Sequence, residues 1–176
     1  MTMSSYRQAR EAGMVLLISL VFLLLLSLVG LSSMQGAISQ QKVATSLWQR
    51  NQSFQTAETG LRLGEAAVRR GGHALPLCQS TISCAPPADA FSVVGAGPNP
   101  VSTVNWVAFK DGVYGVQSLG LGMAQAHLPP HTPAALFRVT AVGLGGQSRT
   151  VLEAVYARVE EGEGARFRRV LWRQLQ

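Results

Sequence analysis

From Gly13 to Leu31 the chain reads G-MVLLISLVFLLLLSLVG-L, and this run decides what the rest can be. Between Met14 and Leu31 there is no charge and no proline, and only Ser19 and Ser27 carry hydrogen-bonding side chains. Fourteen of the residues in that interval are Leu, Ile, Val or Phe. On an insertion scale they favour the membrane by about −4 to −8 kcal/mol. Helical geometry carries this stretch ~27 Å, close to the thickness of a bilayer's hydrocarbon core. Lipid offers the backbone no hydrogen-bond partners, so the segment is expected to be a transmembrane helix.

The flanks orient it. Before the run lies MTMSSYRQAREAG, with Arg7 and Arg10 close to the apolar residues; after it the first charge is Lys42. Positive charge stays on the cytoplasmic side, so the remainder of the chain is expected across the membrane. A removable secretory peptide would be shorter and cut after its apolar segment, where Met34-Gln-Gly-Ala37 is a weak candidate site.

Three stretches carry a resemblance. The run GMVLLISLVFLLLLSLVG, the stretch QSFQTAETGLR over 52–62, and Phe137-Arg-Val-Thr-Ala-Val-Gly-Leu-Gly145 together resemble PilX-type minor pilins of the type IV pilin and pseudopilin superfamily. The resemblance covers the first ~60 residues and a patch near 136–158. It implies a leader, residues 1–13, that a membrane prepilin peptidase removes between Gly13 and Met14, with N-methylation of Met14. It implies a transmembrane and assembly helix over 14–36, an amphipathic helix over 37–70, and a periplasmic α+β head over 71–176. Pilins usually carry glutamate as the fifth residue after the cut; here Ile18 holds that place. In a major pilin that glutamate pairs with a neighbour's N-terminal amine.

The implied function is structural: a minor pilin that primes type IV pilus assembly and sits at or near the tip. Its implied partners are other minor pilins, the major pilin, a tip adhesin, the inner-membrane assembly platform and, before assembly, membrane lipid. No cofactor, small-molecule substrate or nucleic acid is expected. Two alternatives are a minor pseudopilin of a type II secretion system, which generally has a larger head, and a DNA-uptake pilin binding through the basic stretch Arg166–Arg173. A membrane-bound sensor would need a cytoplasmic output domain that the short leader does not supply.

The residues beyond the membrane run support a head of one small domain. Net charge is +6, and without Arg7, Arg10 and Glu11 it is +5, with Arg166, Arg168, Arg169 and Arg173 crowded together. Cys78 and Cys84 form C-x5-C, which fits neither a redox C-x-x-C nor paired zinc spacings. In an oxidising periplasm a local disulfide is the expectation; a reducing compartment would leave two thiols.

Residues 27–36, SLVGLSSMQG, weaken the helix through Gly30, Gly36, Ser32 and Ser33, either as an exit from the membrane or as a segment able to unwind. The helix is then expected to continue, with Leu47, Phe54, Leu61 and Val68 recurring every seven residues beside Val43, Ala57 and Gly64. Glu58/Arg62 and Glu65/Arg69 stand at i,i+4 in the favourable order, and Gly71-Gly72 supply the stop. A coiled-coil stalk is the competing reading of this stripe.

Residues 71–100 are rich in Gly, Ala, Pro and Ser and read as a loop layer. Strands are expected at 104–109 and 112–117 around a Lys110-Asp111-Gly112 turn, at 135–142, at 149–159 after a turn over Gly143–Ser148, and at 166–173. In 135–142, Phe137, Val139 and Ala141 share one face. Gly120-Leu-Gly122 and Gly143-Leu-Gly-Gly146 are assigned to turns, and Glu153 to a solvated strand face. Trp48, Trp106 and Trp172 read as core or interfacial anchors. His73, His127 and His131 lack metal-binding spacing, and no nucleophile or phosphate-binding motif is present, so no catalysis is expected.

Overall fold

The computed structural model describes residues 4–71, 75–123, 132–161 and 164–176. His73, His127 and His131 lie outside the described residues. Two compact units partition the chain, residues 1–45 and 46–176.

One helix, α1 (Ser4–Gly71), enters both units. It begins ten residues ahead of Met14, because Gln, Ala, Arg and Glu between Ser4 and Gly13 are sound helix formers and no proline interrupts them. Gly30 and Gly36 do not break it. Arg69 and Arg70 occupy its last turn, where cations suit the exposed carbonyls.

In the second unit an antiparallel meander follows: β1 (Gly97–Pro98), β2 (Asn105–Phe109), β3 (Gly112–Gly122), β4 (Ala134–Gly145), β5 (Ser148–Glu161) and β6 (Gly164–Gln174). The strands lie side by side in chain order. Together with α1 this is the α+β fold that the alternating sequence predicts. Asp111, at φ 60, turns the chain between β2 and β3, a conformation aspartate tolerates.

The β4–β5 hairpin is tighter than the glycines suggest. Gly143 and Gly145 belong to β4, where they face Thr150 and Ser148, and only Gly146-Gln147 form the turn. Gly146 supplies the positive φ such a turn needs. Gly120 and Gly122 likewise lie within β3, with Gly120 at a register shift next to Ser118.

Residues 46–71 of α1 cover one face of the sheet. Ser53, Ala57, Gly60, Leu61, Gly64 and Val68 form the buried stripe, at helical spacing. Opposite them lie Phe137, Val139, Ala141, Leu152, Ala154 and Tyr156, the main apolar core. The contact is therefore made largely by small residues. Of the expected heptad, Leu61 and Val68 are buried, Phe54 is partly buried and Leu47 is exposed. The reason is close approach: a Cβ at Gly145 would stand 2.6 Å from the Gln49 carbonyl oxygen and 2.8 Å from the Ser53 nitrogen. Ser53 Oγ and Thr150 Oγ1 share a buried hydrogen bond of 2.8 Å across this contact.

The opposite face of the sheet is covered by the loop layer. Its core is Ala90, Val104, Trp106, Val113, Val142 and Val151. Trp106 is the one tryptophan of the core; Trp48 is exposed and Trp172 half-exposed, its ring edge-on to Phe54 at 6.4 Å.

Candidate functional site

The first candidate is the apolar surface of α1 within residues 13–45. Every residue from Gly13 to Leu31 is exposed, in a window whose mean hydropathy reaches 3.0. Two hydroxyls in and beside this stretch satisfy themselves locally. Ser19 Oγ donates to the Leu16 carbonyl at 2.8 Å, and Ser32 Oγ donates to the Leu28 carbonyl at 3.0 Å. A hydroxyl turned back onto its own helix is what a hydrocarbon environment tolerates. Gly13, Met14 and Ile18 all lie on α1 and are exposed; a side chain at Gly13, Gly30 or Gly36 would meet nothing within 4 Å.

The second candidate is the disulfide loop and the polar network beneath it. Cys78 and Cys84 are disulfide-bonded. Closing so short a ring contributes about 2 kcal/mol on the chain-entropy account. Inside the ring, Ser80 and Ser83 hydrogen-bond each other's side chains at 3.0 Å. Three contacts fasten this loop to the sheet, the first along the edge of β3 and the other two from the sheet's second face. Cys78 N–H donates to the Ser118 carbonyl at 3.0 Å, Gln117 Nε2 to the Ser83 carbonyl at 2.7 Å, and Arg138 Nη1 to the Cys84 carbonyl at 2.6 Å. Farther along, Arg149 Nη1 donates to the Val93 carbonyl at 2.7 Å, and Trp106 Nε1 to Asp89 Oδ2 at 2.6 Å.

Arg138 also meets Glu153, which is not on a solvated face: its side chain is 1% exposed. On β5, Glu153 directly opposes Thr140 of β4 and Arg173 of β6. Arg138 Nε lies 3.1 Å from its Oε2, and Arg173 Nη2 and Nε each lie 2.9 Å from its Oε1. Burial lowers the Arg138 pKa, and the Glu153 carboxylate opposes that shift. An alternating strand with its first face on a helix would leave Glu153 facing water. The loop layer over the second face changes that outcome, and nothing in residues 149–159 signals it.

On the helix side, Tyr156 is 2% exposed and lies by Glu65 and Arg169. Burial, helped by the Glu65 carboxylate, pushes its hydroxyl pKa up from 10.0 to about 12. The folded state holds this proton more tightly than the unfolded one. The stabilisation is complete below the unfolded pKa near 10 and is lost as pH rises toward 12. Urea midpoints taken between pH 9 and pH 12 should fall in that window, and Tyr156→Phe should flatten the fall.

A groove of about 540 Å³ runs between the end of α1 and β2–β3, lined among others by Arg70, Leu75, Tyr114, Val116 and Gln117. Among the described residues its lining holds no carboxylate and no histidine. No group of His, Cys, Asp and Glu suited to a metal occurs among the described residues.

Residues 12–62 match the family described as PilX N-terminal, which covers the apolar helix and the first part of the helix that packs on the sheet. No curated protein and no solved structure matches the chain.

Proposed function

We propose that this chain, a type IV pilin of the PilX type by its residues 12–62, primes assembly of a type IV pilus as a minor subunit and sits at or near the fibre tip. In this reading residues 1–13 are a leader, removed between Gly13 and Met14 as Met14 becomes N-methylated. Residues 14–36 hold the subunit in the inner membrane and later enter the helical bundle of the fibre. Residues 37–70 continue as the amphipathic helix, and residues 71–176 form the periplasmic head. Other minor pilins, the major pilin, a tip adhesin and the inner-membrane assembly platform are its partners. Its role is structural, with no reaction of its own.

The observation that carries this reading is the pairing of a fully exposed apolar helix surface with Ile18 at the place of the usual glutamate. A charge inside an apolar bundle is costly unless paired. A subunit with isoleucine there needs no neighbouring amine, which suits the end that assembles first.

Intact mass of the membrane-purified protein should show loss of Met1–Gly13 and a methylated Met14; a mature N-terminus near Ala37 would overturn the pilin processing. Deleting the protein should sharply reduce surface pili while the major pilin stays abundant in the membrane. Complementation with Ile18→Glu should prime poorly, since an unpaired carboxylate costs about 2.5–3.5 kcal/mol even on a lenient insertion scale. Normal piliation with Ile18→Glu would defeat the tip position, and normal piliation in the deletion would defeat the priming role.

A further inference from the structure

β6 runs eleven residues, Gly164–Gln174, along the edge of the sheet. One side pairs with β5; among the described residues no strand pairs with the other. A strand so placed presents a row of backbone N–H and C=O groups to whatever lies beside it. The opposite edge is a poor template, since β1 has two residues and one of them is Pro98.

The edge is also held in place before anything binds. Arg69 lies over the Phe167 ring at 5.2 Å from its centre, Trp172 packs edge-on to Phe54, and Arg173 is fixed by Glu153. A rigid edge spares an incoming chain the ordering cost on this side. A register shift between Val155 and Tyr156, opposite Leu171 and Arg169, interrupts the ladder. Bulges of this kind twist an edge, so the regular part available for pairing is Gly164–Arg169.

Charge selects the occupant. β6 carries Arg166, Arg168, Arg169 and Arg173 and no acidic side chain. Arg166 and Arg168 oppose Val159 and Ala157 on the loop-layer face, while Phe167 and Arg169 belong to the helix face. Pairing with a second copy's β6 would set arginine against arginine, which disfavours it. An extended partner with carboxylates at alternate positions would meet Arg166 and Arg168 while its apolar residues lie beside Phe167. We propose that the Gly164–Arg169 edge of β6 receives an acidic, extended strand from a partner protein, added to the sheet by main-chain hydrogen bonds. The proposal stands independently of the pilus reading, because it concerns what this edge binds and not where the chain is assembled.

The test uses the full chain in detergent and end-capped, dye-labelled peptides followed by fluorescence anisotropy. A peptide alternating glutamate and valine should bind at least tenfold more tightly than its lysine–valine counterpart. N-methylating every second amide in one register should abolish binding, and in the other register should leave it unchanged, because only alternate amides face the edge. Arg166→Glu with Arg168→Glu, both at exposed positions, should reverse the order of the two peptides. If a proline-interrupted acidic peptide or a short oligothymidylate binds as tightly as the glutamate–valine peptide, the surface reads charge alone and the proposal fails. It fails equally if both N-methylated sets bind, or if the double variant leaves the peptide order unchanged.

Discussion

Replacing Glu153 with glutamine is expected to destabilise the head by about 3–5 kcal/mol, the range for removing one partner of a buried ion pair. The carboxylate is shielded from water and stands between two arginines of unequal exposure, Arg138 at 12% and Arg173 at 47%. Glutamine keeps the shape and some hydrogen bonding but removes the charge. Arg138, whose cation burial already disfavours, would then face Arg173 with no anion between them. Arg173→Met should cost far less, about 1 kcal/mol or below, since half-exposed ion pairs contribute little and Arg138 still neutralises Glu153. Urea unfolding of the detergent-solubilised chain, read by fluorescence of the buried Trp106, provides the comparison. A glutamine variant within 1 kcal/mol of the native chain, at equal urea dependence, would show that Glu153 is not held as an anion in a dry site.

The contrast between Glu153 and its neighbours shows what the sequence can and cannot disclose. The apolar run, the continuation of the helix and the two hairpins, 104–117 and 135–159, follow from periodicity and turn residues, because apolar spacing directly reports which solvent each residue meets; the order of the strands in the sheet does not. Cys78 and Cys84 are close enough in the chain for their pairing to be a local matter. Burial of Glu153 is different. It depends on residues 75–104 folding over the second face, with Gln117, Arg138 and Arg149 tying down carbonyls of that layer. No local pattern encodes a cover that arrives from elsewhere in the chain. The contact stripe of α1 misleads for a related reason. Ser53 and Gly60 do not look like a core face, yet they are buried, with Gly64 of the expected stripe, because the helix lies so close to the sheet that larger residues would not fit. Gly143 and Gly145, read as turn residues, are the other half of the same contact. Gly13, Met14 and Ile18 are singled out only by their place relative to the apolar run, and the structure adds that all three lie exposed on α1.

Gly143→Ala should be the most damaging single-methyl change in the head, about 3 kcal/mol or more, at the upper end for overpacking. Gly143 has no positive φ, so alanine is compatible with its backbone and the whole cost is steric. The added Cβ would run into the Ser53 carbonyl oxygen and the Ala57 nitrogen. Both are backbone atoms of α1, and no change of rotamer relieves them; the helix itself must lift from the sheet. Gly64→Ala is crowded too, but there the obstacle is a methyl of the Val139 side chain. Truncating that side chain should therefore rescue it: Gly64→Ala with Val139→Ala should cost less than the two single changes added together. No truncation of Ser53 should rescue Gly143→Ala, because its side chain is not what the methyl meets. Gly95→Ala, where the new methyl meets nothing within 4 Å, serves as the reference and should stay within about 0.5 kcal/mol of the native chain. Equal tolerance of alanine at positions 95 and 143 would mean that the helix does not approach the sheet at Gly143 as closely as described. Rescue of Gly143→Ala by Ser53→Gly would mean that the obstacle there is a side chain and not the helix backbone.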